Sequence, residues 1–183
     1  MSTTKEFAEL YLQDILARLK MYKSLADDAV AQLDDEHFFA ALDEESNSMA
    51  VLLKHMAGNM RSRWTNFLTS DGEKPWRQRD AEFMIEEADA KTALLDHWEE
   101  SWQLVFETVK SLDADDLKRT VTVRGESHTV MEAINRQLTH YAYHVGQIVV
   151  LAKHFAAEHW ETLSIPRGAS EAFNQAMRDE HNP

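Results

Sequence analysis

The chain has 183 residues, 44% of them hydrophobic, which is enough for one buried core and short for two, so a single domain spanning 1–183 is expected. A formal net charge of −13 argues against nucleic acid or an anionic membrane as a partner, and the absence of cysteine excludes a disulfide framework, a thiolate nucleophile and sulfur-ligated metal. Only five glycines and three prolines, among plentiful Ala, Leu, Glu, Asp and Lys, favour long helices and an all-α fold.

The opening stretch "MSTTKEFAELYLQDILARL" spreads its charges and lacks the apolar centre of a signal peptide. No later run approaches the roughly 18 apolar residues of a membrane span, so a cytoplasmic location is expected. From about Thr4 to Leu33, Phe7, Leu10, Tyr11, Ile15, Leu19, Tyr22, Leu25 and Val30 recur at spacings of three and four, the mark of a first amphipathic helix. "DDEHFFAALDEES" breaks that pattern. "SNS" at Ser46 to Ser48 then offers N-cap side chains for a second helix to about Leu68, with Met49, Leu52, Leu53, Met56, Met60, Trp64 and Phe67 on its apolar face.

Thr69 to Asp89 carries an Asp-Gly turn signal, a proline and dense charge, and reads as a long connection. A connection of that length can cross the end of a bundle and leave the helices on either side of it parallel. A third helix follows from about Ala90 to Leu112. "RTVTVRGESHTV" alternates β-branched and polar residues around Arg124-Gly125-Glu126 and predicts a small hairpin. Thr129 and Glu132 form a capping box that starts a fourth helix ending near Ala157, and a short helix is expected near Ser170 to Met177.

The fourth helix carries His140 and His144. In a chain with nine histidines roughly 0.4 such i, i+4 pairs arise by chance, so the pair alone decides little. Projection puts His144 within an apolar arc of Ile134, Leu138, Tyr141, Val145, Ile148 and Ala152, with His140 at its edge, so both imidazoles share a face. That suits chelation of one ion and equally suits two satisfied core histidines. The best third ligand is His55 on the second helix. It lies outside the apolar arc, on a polar stripe with Ser48, Asn59, Ser62 and Arg63 that is either a solvated face or a pocket wall. Three imidazoles would leave positions open for water or substrate.

Several other residues have two readings. Asn59 and Arg63, one and two turns beyond His55, could line a pocket. Arg77 and Arg79 could hold an anionic group, or pair ordinarily with Asp71, Asp80 or Glu82. Tyr143 could donate to a substrate, Gly146 reads as permitting close helix packing, and Trp64 and Trp76 could form an aromatic wall but read rather as core packing and loop anchoring. No clear carboxylate base stands beside the histidines.

These residues resemble a known group. The helix-two histidine, the hairpin and "HYAYHVGQI" are similar to the DinB/YfiT-like superfamily of four-helix-bundle metalloenzymes. "NSMAVLLKHMAGNMRSRWTNFLTSDGEKPWRQRDAEF" resembles a bacterial subgroup of unknown function carrying a DGEKPWRxRD loop. The resemblance covers Ser46 to Phe155. It implies an up-down-down-up bundle and a triad of His55, His140 and His144 around one divalent ion, zinc or nickel. It also implies a small-thiol-dependent S-transferase acting on electrophilic small molecules, by analogy with relatives that use a low-molecular-weight thiol. The rival reading is a non-catalytic metal or small-ligand binding bundle, a stress-associated sensor. Long amphipathic faces make a homodimer the expected assembly.

Overall fold

Four long amphipathic helices can bury their apolar faces only against one another, and the computed structural model, which describes residues 2–181, arranges them as a bundle. In chain order the elements are α1 (Ser2–Val30), α2 (Asp35–Phe39), α3 (Met49–Trp64), α4 (Lys91–Ser111), β1 (Thr120–Val123), β2 (Glu126–Thr129), α5 (Val130–Ala156) and α6 (Ser170–His181). The fold is all-α apart from the hairpin. The expected caps form: the Ser48 hydroxyl accepts from the Val51 amide at 3.3 Å, and the Thr129–Glu132 capping box is closed in both directions.

Contacts between helices fix their directions. Trp98 Nε1 donates to Asp27 Oδ1 at 2.8 Å and Lys91 Nζ to the Leu33 carbonyl at 3.1 Å, so α4 starts where α1 ends and runs against it. The Tyr11 hydroxyl donates to Asn135 Oδ1 at 2.9 Å near the start of both helices, and Gln32 Nε2 donates to the Glu161 carbonyl beyond the end of both, so α1 and α5 are parallel. Trp64 Nε1 donates to the Tyr141 hydroxyl at 2.8 Å while His55 faces His144, which sets α3 against α5. The order is therefore up-down-down-up, with α3 and α4 made parallel by the long connection. Trp64, Trp98, Trp102 and Tyr141 fill the shared core.

The structure departs from the sequence pattern where segments are short or exposed. The break after α1 contains α2, five residues capped by Asp34 and buried through Phe38, too short to show a period. The last helix runs to His181 rather than Met177, with no buried residue. No helix among the described residues is long and apolar enough to cross a membrane.

The β1–β2 turn places Arg124 and Gly125 at φ 57° and 76°, the pair of positive values that a two-residue hairpin of this twist requires. Asp71, from the long connection, holds this turn: its carboxylate accepts from the amides of Arg124 at 2.9 Å, Gly125 at 2.8 Å and Glu73 at 2.7 Å. The Gly72 amide donates to the Thr122 carbonyl at 2.7 Å. Replacing Asp71 with Ala strips the acceptor from three amides. We expect a loss of about 1–3 kcal/mol in urea unfolding, with α-helix content unchanged by far-UV circular dichroism.

Candidate metal centre

The polar stripe of α3 is a pocket wall. Ser48, His55, Asn59, Ser62 and Arg63 are all buried; His55, Asn59 and Arg63 line the cavity, and the connection after α3 folds back on the helix, bringing Gly72 onto Ser62 and Arg63 and Glu82, in a 3-10 turn over Arg79–Phe83, onto His55. From the other side α5 brings His140 and His144. The ligand nitrogens of His55, His140 and His144 all lie within 4.8 Å of one another, and this is the group among the described residues that could hold a metal ion.

Two of the three rings are oriented by what their other nitrogen meets. His55 Nδ1 lies 2.9 Å from Glu82 Oε2; an ionised carboxylate only accepts, so Nδ1 carries the proton and Nε2 keeps its lone pair. His144 Nδ1 donates to Gln147 Oε1 at 3.2 Å, leaving its Nε2 as a second lone pair. That Nε2 faces His140 Nε2 at 3.1 Å, while His140 Nδ1 is buried without a partner. In the absence of a cation, either two lone pairs face each other or the acceptor nitrogen of His140 is left orphaned. A divalent ion on all three Nε2 atoms removes the first conflict, so the donor set fits one. Burial, then the neighbouring His144 and His55 and the Arg63 and Arg77 guanidiniums, push the His140 pKa down to about 3. Burial also lowers that of His144. Both rings are therefore neutral, as ligation requires.

Glu82 is the group that sequence reasoning missed. It is buried, which by itself raises a carboxyl pKa, yet hydrogen bonds from Arg77 and His55 outweigh burial and hold it below the usual range. Arg77 grips it with two bonds, Nε to Oε1 at 2.7 Å and Nη2 to Oε2 at 2.8 Å. Gly58 makes room for it: a Cβ there would lie 2.7 Å from the Glu82 carboxyl carbon and closer still to Oε1. The expectation that no carboxylate stands beside the histidines is thus corrected. This one is engaged with His55 and Arg77.

Other expectations sort by contact. The three histidines, Asn59, Arg63, Arg77, Arg79 and Tyr143 all line one cavity of about 440 Å³. Arg77 is buried with its fork committed to Glu82, whereas Arg79 is exposed, 3.7 Å from Asp80 and 4.9 Å above the Phe83 ring, which itself packs on His55 at 4.6 Å. Trp64 is core and Trp76 is exposed beside Arg61, so neither walls the site. Gly146 does not serve helix packing, since nothing lies within 4 Å of where its Cβ would be.

Fold and site together define a helical bundle with a three-histidine centre able to hold a metal ion. Residues 6–169 match the family described as Protein of unknown function (DUF1572), and the chain belongs to that family. No curated protein and no solved structure shows a match.

Two tests follow from this geometry. Gly58→Ala must displace a carboxylate that Arg77 and His55 both pin, and metal affinity should fall by about 10–100-fold, read by competition with a chromogenic chelator. In chelator-treated protein the unfolded chain takes up the His140 proton near pH 6.5, whereas the folded chain resists until about 3. Stability should be full above pH 6.5 and fall between there and pH 3, with a slope approaching about 1.4 kcal/mol per pH unit, a trend that His140→Phe would flatten.

Proposed function

We propose that the chain is a metal-dependent enzyme of the DinB/YfiT-like kind, in which His55, His140 and His144 hold one divalent ion, zinc or nickel, beside a substrate cavity. The supporting observation is the convergence of three imidazoles, two of which, His55 and His144, are already oriented by Glu82 and Gln147. A bound ion would supply a Lewis acid that lowers the pKa of a thiol or a water molecule. The chain's own residues bind and orient. Asn59 and Arg63 form the α3 wall, Tyr143 and Arg79 the exposed rim, and Arg77 keeps Glu82, and through it His55, in place. The small-thiol-dependent S-transfer to electrophilic small molecules rests on the resemblance to relatives, since fold likeness alone does not fix chemistry.

One observation favours the rival reading, a non-catalytic metal or small-ligand binder. No Asp or Glu lines the cavity, so no carboxylate faces a substrate to take its proton. Elemental analysis of protein purified without a histidine tag decides the site: about one ion per chain is expected in the parent, and strong depletion in His55→Ala, His140→Ala and His144→Ala. Sub-stoichiometric metal in the parent, or full occupancy in every variant, would sink it. Turnover of electrophiles with low-molecular-weight thiols is expected of the metal-loaded protein; tight ligand binding without turnover would establish the binder.

A further inference from the structure

The cavity beside the histidines is lined by five arginines, Arg63, Arg77, Arg79, Arg124 and Arg136, and by no acidic residue, in a chain whose net charge is −13. Their partners do not neutralise them. Arg63, Arg77 and Arg124 share two carboxylates, Glu73 and Glu82, and Glu82 also serves His55. Arg79 and Arg136 reach only exposed carboxylates, Asp80 at 3.7 Å and Glu126 at 3.9 Å, distances beyond a hydrogen bond. Two guanidinium forks at the cavity rim are thus left to a ligand, over a floor that carries further positive charge.

A second cavity of about 560 Å³ adjoins the first and shares Asn47, Tyr143 and Gln147 with it. Its lining is of a different kind: Leu42, Leu52, Val150 and Leu151 beside the bare backbone of Gly146, with Glu45 and Ser46 as its further polar residues and no cation. Leu42, Tyr143 and Val150 are exposed although apolar or aromatic. The floor of both cavities is one stripe of α5, along which Arg136, His140, Tyr143, Gly146, Gln147 and Val150 follow in turn. From His144 to Val150 the stripe advances about 9 Å at 1.5 Å per residue, the reach of an extended hexyl ester from its phosphorus to its terminal methyl.

We infer that the ligand of this site is a small amphipathic anion: a head group bearing two negative charges, a phosphomonoester or a dicarboxylate, lies in the arginine cavity, and an apolar substituent lies in the groove over Gly146. Guanidinium forks match both head groups. Gly146 fits this role because its missing side chain is what keeps the groove open at the junction. The inference deepens the functional reading above by naming the substrate class at the same site, but it rests on the arginines and the groove, not on the ion.

Calorimetric titration of metal-loaded and chelator-treated protein tests it, with hexyl phosphate, hexylmalonate, hexyl sulfate, hexanol and inorganic phosphate as probes. Hexyl phosphate or hexylmalonate should bind about tenfold or more tighter than the monoanionic sulfate, the neutral alcohol and the tail-less phosphate; which of the two binds better identifies the head group. Arg79→Gln with Arg136→Gln should abolish the preference for two charges. Gly146→Leu, which raises helix propensity, should remove the gain from the tail and leave inorganic phosphate binding intact. Equal binding of hexanol and hexyl phosphate, a tail effect untouched by Gly146→Leu, or binding that vanishes with the metal and ignores both arginines would overturn the inference. So would a homodimer abolished by Gly146→Leu and undisturbed by hexyl phosphate, because a second copy would then own the groove. Arginine-dependent binding by protein that holds no metal would uphold this inference while the metal reading fell.

Discussion

The construction of the site depends on one contact, the buried carboxylate of Glu82 against the buried imidazole of His55. A buried charge is tolerated only when it is paired and hydrogen-bonded, and a ring on a helix surface is free to turn unless something fixes its far nitrogen. Glu82 and His55 solve both problems for each other, and Arg77 supplies the compensating charge. The arrangement needs Gly58, since a side chain at that position of α3 would occupy the space of the carboxylate. Removing one member leaves the others buried and unmatched, so the group behaves as a unit.

That unit is anchored far from the imidazoles. Arg77 also approaches Glu73, which accepts from Arg63 on α3 and Arg124 in the hairpin turn. The Gly72 carbonyl accepts from the Ser62 hydroxyl at 2.8 Å and from Arg63, and Asp71 closes on the turn amides. The long connection is therefore an ordered strap with both ends of its polar network on rigid elements. The hairpin, which buries Val121 and Val123, gives that strap its fixed point. A loop that served only to carry the chain across the bundle would need none of these bonds.

The bundle was legible in the sequence because helix periodicity is a local property, and α3, α4 and α5 begin within a residue or two of where their caps and apolar spacings put them. His140 and His144 were legible as a pair for the same reason. His55 was legible as an anomaly: a polar stripe beside an apolar arc is ambiguous until one knows what covers it. Glu82 lies 27 residues from His55 in a segment without periodicity, and nothing local distinguishes it from its acidic neighbours. Gly58, one turn past His55 on the same helix, was the available signal, because a helix-interior glycine asks what approaches it. Gly146 shows the opposite error: glycine in a helix read as close packing, where the structure leaves open space.

The arginines and the histidines also serve each other. An imidazole donates its lone pair only while unprotonated, and at the bottom of an acidic protein's cleft the general field would favour taking up a proton. Arg63 and Arg77 act against this, adding to burial in keeping His140 neutral. Their charge is local, and at physiological ionic strength exposed surface carboxylates beyond about 8 Å are largely screened from the cavity. A positively lined pocket in a chain of net charge −13 is thus a physically separate environment. Arg79 and Arg136, the forks that would receive an anion, share the cavity with Arg63 and Arg77, which help to hold His140 in the form a metal needs. Replacing Arg63 or Arg77 with a neutral residue would accordingly remove positive charge from the cavity and weaken the restraint that keeps His140 neutral, which ties the cavity's charge to the competence of the three-histidine centre.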